Sequence, residues 1–262
     1  MNTRPAYTDL RRRLRAREHL LGTFIKIPTT HATEMLGMLG FDFVIIDQEH
    51  APFDSSATDV MVLAARASNI ASIVRVGNPS EANILSVLDC GATGIMVPHV
   101  DSAMKAREVA TACRYKGGKR GFANTTRAGR FGELSFADHI AAQDAQVTCI
   151  AMIEDLTALD HIEEISTVDG IDAFFIGRGD LTAAIGATSM TSPETHRIVE
   201  PIMLAARKAG MPVIMLCPDR SDAMAMAKLG ASAFVVSSDH GFIKQAAKQA
   251  LSEFAPPIGA AT

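Results

Sequence analysis

The stretch FDFVIIDQEH, residues 41–50, runs through Phe43, Val44, Ile45 and Ile46 without a polar residue and then meets Asp47, Gln48, Glu49 and His50. A short, β-branched, unalternating apolar run reads as a strand buried on both faces, the mark of a parallel sheet covered by helices. Seven more runs repeat it: GTFIKI near Gly22, ASIVRV near Ala71, GIMVP near Gly94, VTCIAMIE near Val147, AFFIG near Ala173, PVIML near Pro212 and AFVVS near Ala233. Between most of them lie Ala- and Met-rich segments with helical spacing, among them ATDVMVLAARAS, NILSVLDCG, AMKAREVATACR, DAMAMAKLG and IKQAAKQAL. Glycine in LGF, CGAT, DGID, AGMP and LGAS stands just past a helix and before a strand, where a left-handed cap is needed. Eight strand–helix units in about 250 residues fit a (β/α)8 TIM barrel of the α/β class, with a doubly wound sheet the alternative that pattern leaves open. No low-complexity linker divides the chain. The expectation is a single domain over residues 1–262, with an N-terminal helix at about 7–19 and a core at about 20–254.

Composition narrows the function. Of 262 residues 48% are hydrophobic, the formal net charge is −4, and there are two Tyr and no Trp. That argues against a nucleic-acid surface built from basic patches and stacking aromatics and favours a small-molecule ligand. Cys90, Cys113, Cys149 and Cys217 are too scattered for a zinc site or a disulfide framework and read as reduced, mostly buried thiols. No apolar run suits a secretory signal or a membrane span, so the expected location is cytoplasmic. The basic segment RRRLRARE, residues 11–18, reads as a solvated helix face with Leu10 and Leu14 on its apolar side.

In a parallel barrel the ligand sits where the strands end, because the strand-to-helix loops converge there. The second run ends in Asp47, Glu49 and His50, the third contains Arg75, the fifth ends in Glu154 and Asp155, and the sixth leads through GRG to Asp180. Strand beginnings are mostly small or turn residues, so the polarity is one-sided. Glu154 and Asp180, at the mouths of neighbouring strands, can converge on one hard divalent cation, with Mg2+ or Mn2+ favoured over zinc. Taken singly, Asp180 as a helix cap and Glu154 as an ion-pair partner are the better reading. Arg75 has the planar fork for a carboxylate, or for a buried ion pair with Glu49 or Asp89. Asp47, three residues before His50, can orient its imidazole as an acid/base dyad. Residues 115–133, glycine-rich and basic, are long enough for a functional loop or lid. Lys26 is the sole lysine within an expected strand, and a snorkelling or paired lysine is favoured there over a Schiff base.

These residues have a familiar order. FDFVIIDQEHAPFD, GATGIMVPHV, RYKGGKRG and AMIEDLTALDHIEEISTVDGIDAFFIGRGDLTAAIG together resemble the HpcH/HpaI aldolase family, class II metal-dependent pyruvate aldolases exemplified by 4-hydroxy-2-oxoheptanedioate aldolase. The resemblance runs from about Leu20 to Phe254. It implies a (β/α)8 barrel whose last helix, here within FIKQAAKQALSEF, is exchanged between subunits, and a homo-oligomer, commonly a hexamer. It implies a divalent cation (Mg2+ or Mn2+, with Co2+ an option) on Glu154 and Asp180. Arg75 then holds the carboxylate and developing enolate, the His50/Asp47 dyad handles the proton, and backbone N–H groups near Gly179 receive the substrate carboxylate. Asp89, in SVLDCG, matches an acid near a pocket that neighbours the loop of an adjacent subunit. The implied substrates are a 2-oxo acid and an aldehyde, joined or split through a pyruvate enolate. An oxo-acid decarboxylase or a non-catalytic carboxylate-binding barrel would use the same positions. The chain departs from the family at Gln48, at Met152 where a Gln is common, and at Arg178, Gly179 and Thr182; Met152 removes a polar contact and Arg178 is expected to add charge at the pocket edge.

Overall fold

Eight parallel strands close on one another in chain order in the computed structural model, which describes residues 5–255. They are β1 (Leu20–Ile25), β2 (Phe43–Asp47), β3 (Ala71–Arg75), β4 (Gly94–Val97), β5 (Thr148–Ile153), β6 (Ala173–Ile176), β7 (Val213–Leu216) and β8 (Ala233–Ser238). β8 pairs back onto β1 with a register shift between Gly22 and Phe24. The helices are α1 (Leu10–Arg15), α2 (Thr30–Leu39), α3 (Ser55–Ala67), α4 (Glu81–Asp89), α5 (Ala103–Ala112), α6 (Phe136–Gln146), α7 (Thr157–Asp160), α8 (Ile162–Ser166), α9 (Arg178–Ala184), α10 (Pro193–Ala209), α11 (Arg220–Leu229) and α12 (Asp239–Glu253). The architecture is the (β/α)8 barrel that the alternating pattern implies.

Two cores explain why the strands lack alternation. Phe43, Ile45, Ile73, Ile150 and Phe175 fill the barrel, whereas Val44, Ile46, Val74, Cys149 and Phe174 pack outward under the helices. Each strand therefore buries both faces, and its period of two survives only as a choice between two apolar environments. The inward parity continues past the strand ends: Phe24 to Lys26, Ile45 to Asp47, Ile73 to Arg75 and Met152 to Glu154. Chemistry enters the mouth by the same alternation that fills the core. The five glycines marked as turn signals, Gly40, Gly91, Gly170, Gly210 and Gly230, all adopt positive φ, and three of them directly cap α2, α10 and α11.

The other end of the barrel corrects two expectations. α1 closes it, with Leu10 and Leu14 joining the inner core beside Leu20 and Phe43. Its basic face is not simply solvated: Arg11 bonds Asp172 at 2.8 Å, and Arg13 bonds Glu18 at 2.7 Å and Asp42 at 2.8 Å. Asp42 and Asp172 directly precede β2 and β6, so strand beginnings carry charge too, spent on holding the plug. Asp172 also takes Arg114 and the Cys149 N–H.

Residues 115–133 do not cover the mouth of their own barrel. They lie along the outer helices, tied by Lys119 to Glu81, Arg120 to Asp89 and Arg127 to Asp59. Buried His139 anchors them, its ring nitrogens 2.8 Å from Asn124 Oδ1 and 3.2 Å from the Tyr115 hydroxyl. Cys113, Cys149 and Cys217 are buried, and all four cysteines are free. No helix among the described residues is long and apolar enough to cross a membrane.

Candidate active site

At the C-terminal mouth lies a cavity of about 330 Å3, with Phe24, Met152, Phe175 and Leu216 as its apolar floor and Lys26, Arg75, Gly177, Gly179, Asp180 and Ser237 on its walls. Phe24 and Phe175 meet edge-on with centroids 6.1 Å apart.

One wall is built by β5 and β6. Glu154 is buried, and its Oε1 accepts the His99 N–H at 2.9 Å. His99 reaches this position with φ of 56°, a left-handed conformation uncommon outside glycine, while its ring Nδ1 lies 3.1 Å from Asp155 Oδ2. Gly177 makes room for the carboxylate: a Cβ there would lie 2.5 Å from Glu154 Cβ and 2.7 Å from Oε2. Asp180, in the first turn of α9, makes no side-chain hydrogen bond or ion pair among the described residues, so the capping role is not seen. Burial, opposed by the His99 N–H and reinforced by the charge of Asp180, pushes Glu154 up to about 7. The charge of Asp180 reaches Glu154, whose Oε1 lies 3.5 Å from His99 Nδ1, and two carboxylates so placed suit a hard divalent ion. Among the described residues no group of three or more His, Cys, Asp or Glu is placed to hold a metal ion.

The opposite wall is built by β1, β2 and β3. The Cα pairing of Asp47 with Arg75 sets a fork against a carboxylate: Nε to Oδ1 at 2.9 Å and Nη2 to Oδ2 at 2.7 Å. Lys26 Nζ reaches the same Oδ2 at 2.6 Å. Burial works against the Asp47 charge, but the Arg75 and Lys26 hydrogen bonds overcome it and hold the carboxyl down to about 2. Arg75 Nη1 stands 3.2 Å from Glu49, and its guanidinium and Lys26 Nζ both lie over the Phe24 ring, at 5.0 and 5.7 Å.

A model of HpcH/HpaI aldolase/citrate lyase matches residues 20–246. The chain belongs to the HpcH/HpaI aldolase/citrate lyase family. It is 32% identical over 243 residues to a 5-keto-4-deoxy-D-glucarate aldolase from Klebsiella pneumoniae, covering 92% of this chain and 94% of that one. The Escherichia coli enzymes of the same name are 30% identical over the same coverage. Among solved structures, a family protein from Burkholderia cenocepacia superposes with a TM-score of 0.89 at 29% identity, covering 95% of this chain and 100% of that one. The citrate synthase SbnG superposes at 0.84 and 28%, covering 93% and 96%. As a member of the family the chain is a carbon–carbon lyase.

Within this family chain the expected residues divide. The structure brings Asp180, Gly179 and Arg75 to one cavity, with Asp47 behind Arg75 and the buried Glu154 carboxylate against Gly177 of its wall. His50 stands apart: its ring is 59% exposed, its Nε2 lies 3.7 Å from Glu49, and Asp47 accepts only its backbone N–H, at 3.1 Å. The carboxylate therefore fixes the turn and does not touch the imidazole. Asp89 is outside the cavity, held at 3.2 Å by Arg120. Arg178 does line the cavity, but its side chain is 1% exposed and its charge is matched, forked onto Asp222 with Leu216 O as a further acceptor. Two contributors escaped the sequence reading, His99 and Gly177, whereas Glu49 and Lys26 take the ion-pair roles expected of them, Glu49 between Arg75 and His50 and Lys26 on Asp47.

Proposed function

We propose that the chain catalyses the reversible retro-aldol cleavage of a 4-hydroxy-2-oxo acid to pyruvate and an aldehyde, with Mg2+ or Mn2+ held by Glu154 and Asp180. The nearness of these two carboxylates, through which the charge of Asp180 adds to burial in raising the Glu154 carboxyl, carries the reading. The bound ion would supply Lewis-acid polarisation of the 2-oxo group and charge stabilisation for the enolate.

The protein's own groups do the rest. One N–H on each Nη atom of Arg75 remains for a ligand once Asp47 and Glu49 are served, enough to hold the carboxylate or enolate oxygen. Asp47, ionised down to about pH 2, keeps that guanidinium from turning away. Gly179 leaves open space above the first turn of α9, where a Cβ would meet nothing within 4 Å, so substrate oxygens can approach the backbone. In this reading the exposed His50 ring, 3.7 Å from Glu49, swings from the turn that Asp47 fixes to take the 4-hydroxyl proton in cleavage and return it in condensation. A Schiff base on Lys26 is disfavoured by its 2.6 Å bond to Asp47, which stabilises the ammonium and withdraws the nucleophile.

We further propose that the working unit is a homo-oligomer in which α12 of one subunit seats on the next. α12 buries only Asp239, leaving Ile243, Leu251 and Phe254 exposed, while α2 exposes Met35, Met38 and Leu39 beside an apolar groove of about 260 Å3.

The test is pyruvate release from a 4-hydroxy-2-oxo acid by chelator-treated protein, with and without added Mg2+ or Mn2+, alongside Glu154→Ala. Activity that vanishes on stripping, returns with the ion and is missing in the variant supports the proposal. Activity indifferent to chelator and trapped by borohydride contradicts it, as does oxaloacetate decarboxylation without any aldol cleavage.

A further inference from the structure

A second cavity, of about 380 Å3, lies toward the base of the barrel, where β4 and β5 begin, and the proposed chemistry makes no use of it. Its walls come from residues 7–8, the end of α3, the turn between α4 and β4, residues 127–134 and α6. Pockets that take small molecules start at about 300 Å3, so the space is sufficient for a ligand. Arg66, Arg127 and Arg130 line it, and Asp138 is the one acid among the lining residues. That carboxylate already accepts the Ser135 hydroxyl at 2.7 Å. Three cations against one anion leave the lining two charges positive.

The three arginines are unequally served. Arg127 is taken by Asp59, with Nη1 donating to the backbone O at 3.2 Å and Nη2 to Oδ2 at 2.9 Å, so its Nε and one N–H on each Nη remain. Arg66 and Arg130 make no hydrogen bond or ion pair among the described residues. Gly91 brings two of the three together: a Cβ there would meet Arg66 Nη1 at 3.1 Å and Arg127 Cδ at 3.4 Å, so both side chains reach one point of the wall. The Arg127 side chain is 13% exposed. Like charges brought this close repel, more so where burial excludes water, and an oxyanion among them turns repulsion into charge-assisted hydrogen bonds. Arg130 and Phe131 follow one another in the left-handed region, at φ of 51° and 56°. Non-glycine residues held there carry a backbone cost and cluster at ligand sites.

We propose that this cavity binds a dianionic phosphate group, free or carried by a small molecule, on the guanidinium groups of Arg66, Arg127 and Arg130. The assignment stands apart from the aldolase reading, since none of these residues lines the mouth. Two surplus positive charges match a phosphate dianion, whereas one carboxylate leaves half of that excess in place. The planar fork of arginine suits phosphate oxygens, and here it is offered from α3 and from residues 127–130 at once. The bound anion therefore ties the irregular segment to the barrel between the start of β4 and α6.

The experiment is thermal unfolding and titration calorimetry of the full chain with inorganic phosphate, glycerol 3-phosphate or potassium chloride at matched ionic strength, in the wild type, Arg66→Gln and Arg130→Gln. A saturable rise in melting temperature of roughly 3 °C at ten times Kd is expected with a phosphate and none with chloride. Kd should weaken at least tenfold in each variant. Tighter binding of glycerol 3-phosphate than of inorganic phosphate supports the site with an organic phosphate as its ligand, and equal binding supports it with free phosphate. If Arg66→Gln does not fold, Arg130→Gln, at an exposed position, carries the same comparison. Equal shifts with all three salts would reduce the effect to charge screening and overturn the proposal. A phosphate shift that survives in both variants would overturn it too, because the anion then sits elsewhere, as on Arg75 at the mouth.

Discussion

In the proposed chemistry Glu154 is the residue on which the ion depends, and its titration has a definite sign. With its folded-state value raised to about 7 from an ordinary 4.5, the fold favours the protonated form. In the cation-free protein this group contributes stability that is present below pH 4.5 and lost as pH rises through about 7. A divalent ion needs the carboxylate, so its binding releases protons and strengthens with pH. The thermal shift produced by Mg2+ or Mn2+ should therefore be several degrees larger at pH 8 than at pH 6, and it should be absent in Glu154→Gln at both. Asp47 runs the other way: held down to about 2, it contributes stability above pH 3.8 that is lost as pH falls toward 2. At this scale the sequence was legible where type and position agreed, as for Glu154, Asp180 and Arg75. It was misleading for Asp47 and His50, since a spacing of three residues says nothing of whether a side chain or a backbone N–H fills the carboxylate.

The link from β6 into α9, residues 176–180, shows how an element positions chemistry without supplying it. Gly177 is where the strand hands over to the helix and where Glu154 needs space. Gly177→Ala should lower cation-dependent turnover at least tenfold, because Cβ at 2.5 Å from Glu154 Cβ forces the carboxylate off its place. Gly179→Ala, with nothing within 4 Å of the added methyl, is the matched control for a Cβ without a clash, and its fold and cation-induced thermal shift should be kept. Arg178 ties the same helix to β7 and α11 through Asp222, both buried. Arg178→Met strands a buried carboxylate and should cost about 3–5 kcal/mol in urea unfolding. The eight strands were readable because each carries its own apolar run, and the glycine caps because glycine takes positive φ without steric cost. The direction of residues 115–133 was not readable: glycine and charge mark an irregular segment, while Arg120–Asp89 and Arg127–Asp59 pairing across 31 and 68 residues decides where it lies.

For the whole molecule, two features divide the barrel into a working end and a holding end. At the mouth Asp180 has no side-chain hydrogen bond or ion pair among the described residues, whereas Arg11, Arg13, Asp42 and Asp172 at the base are matched around the α1 plug. The apolar faces of α2 and α12 are the remaining imbalance, with Met38 85% and Phe254 87% exposed. Leu39→Asp should convert the proposed homo-oligomer to smaller species in light scattering while leaving circular dichroism of the barrel intact; an unchanged mass would count against the proposed helix exchange. The central claim is that this mouth stabilises an enolate on a divalent cation, and the most direct test is exchange of the pyruvate methyl protons with deuterated solvent, followed by NMR. The account predicts exchange with Mg2+ or Mn2+ that stops on chelation, resumes on restoring the ion and is missing in Glu154→Gln. Exchange that ignores chelator, or that never occurs with the ion present, would contradict it.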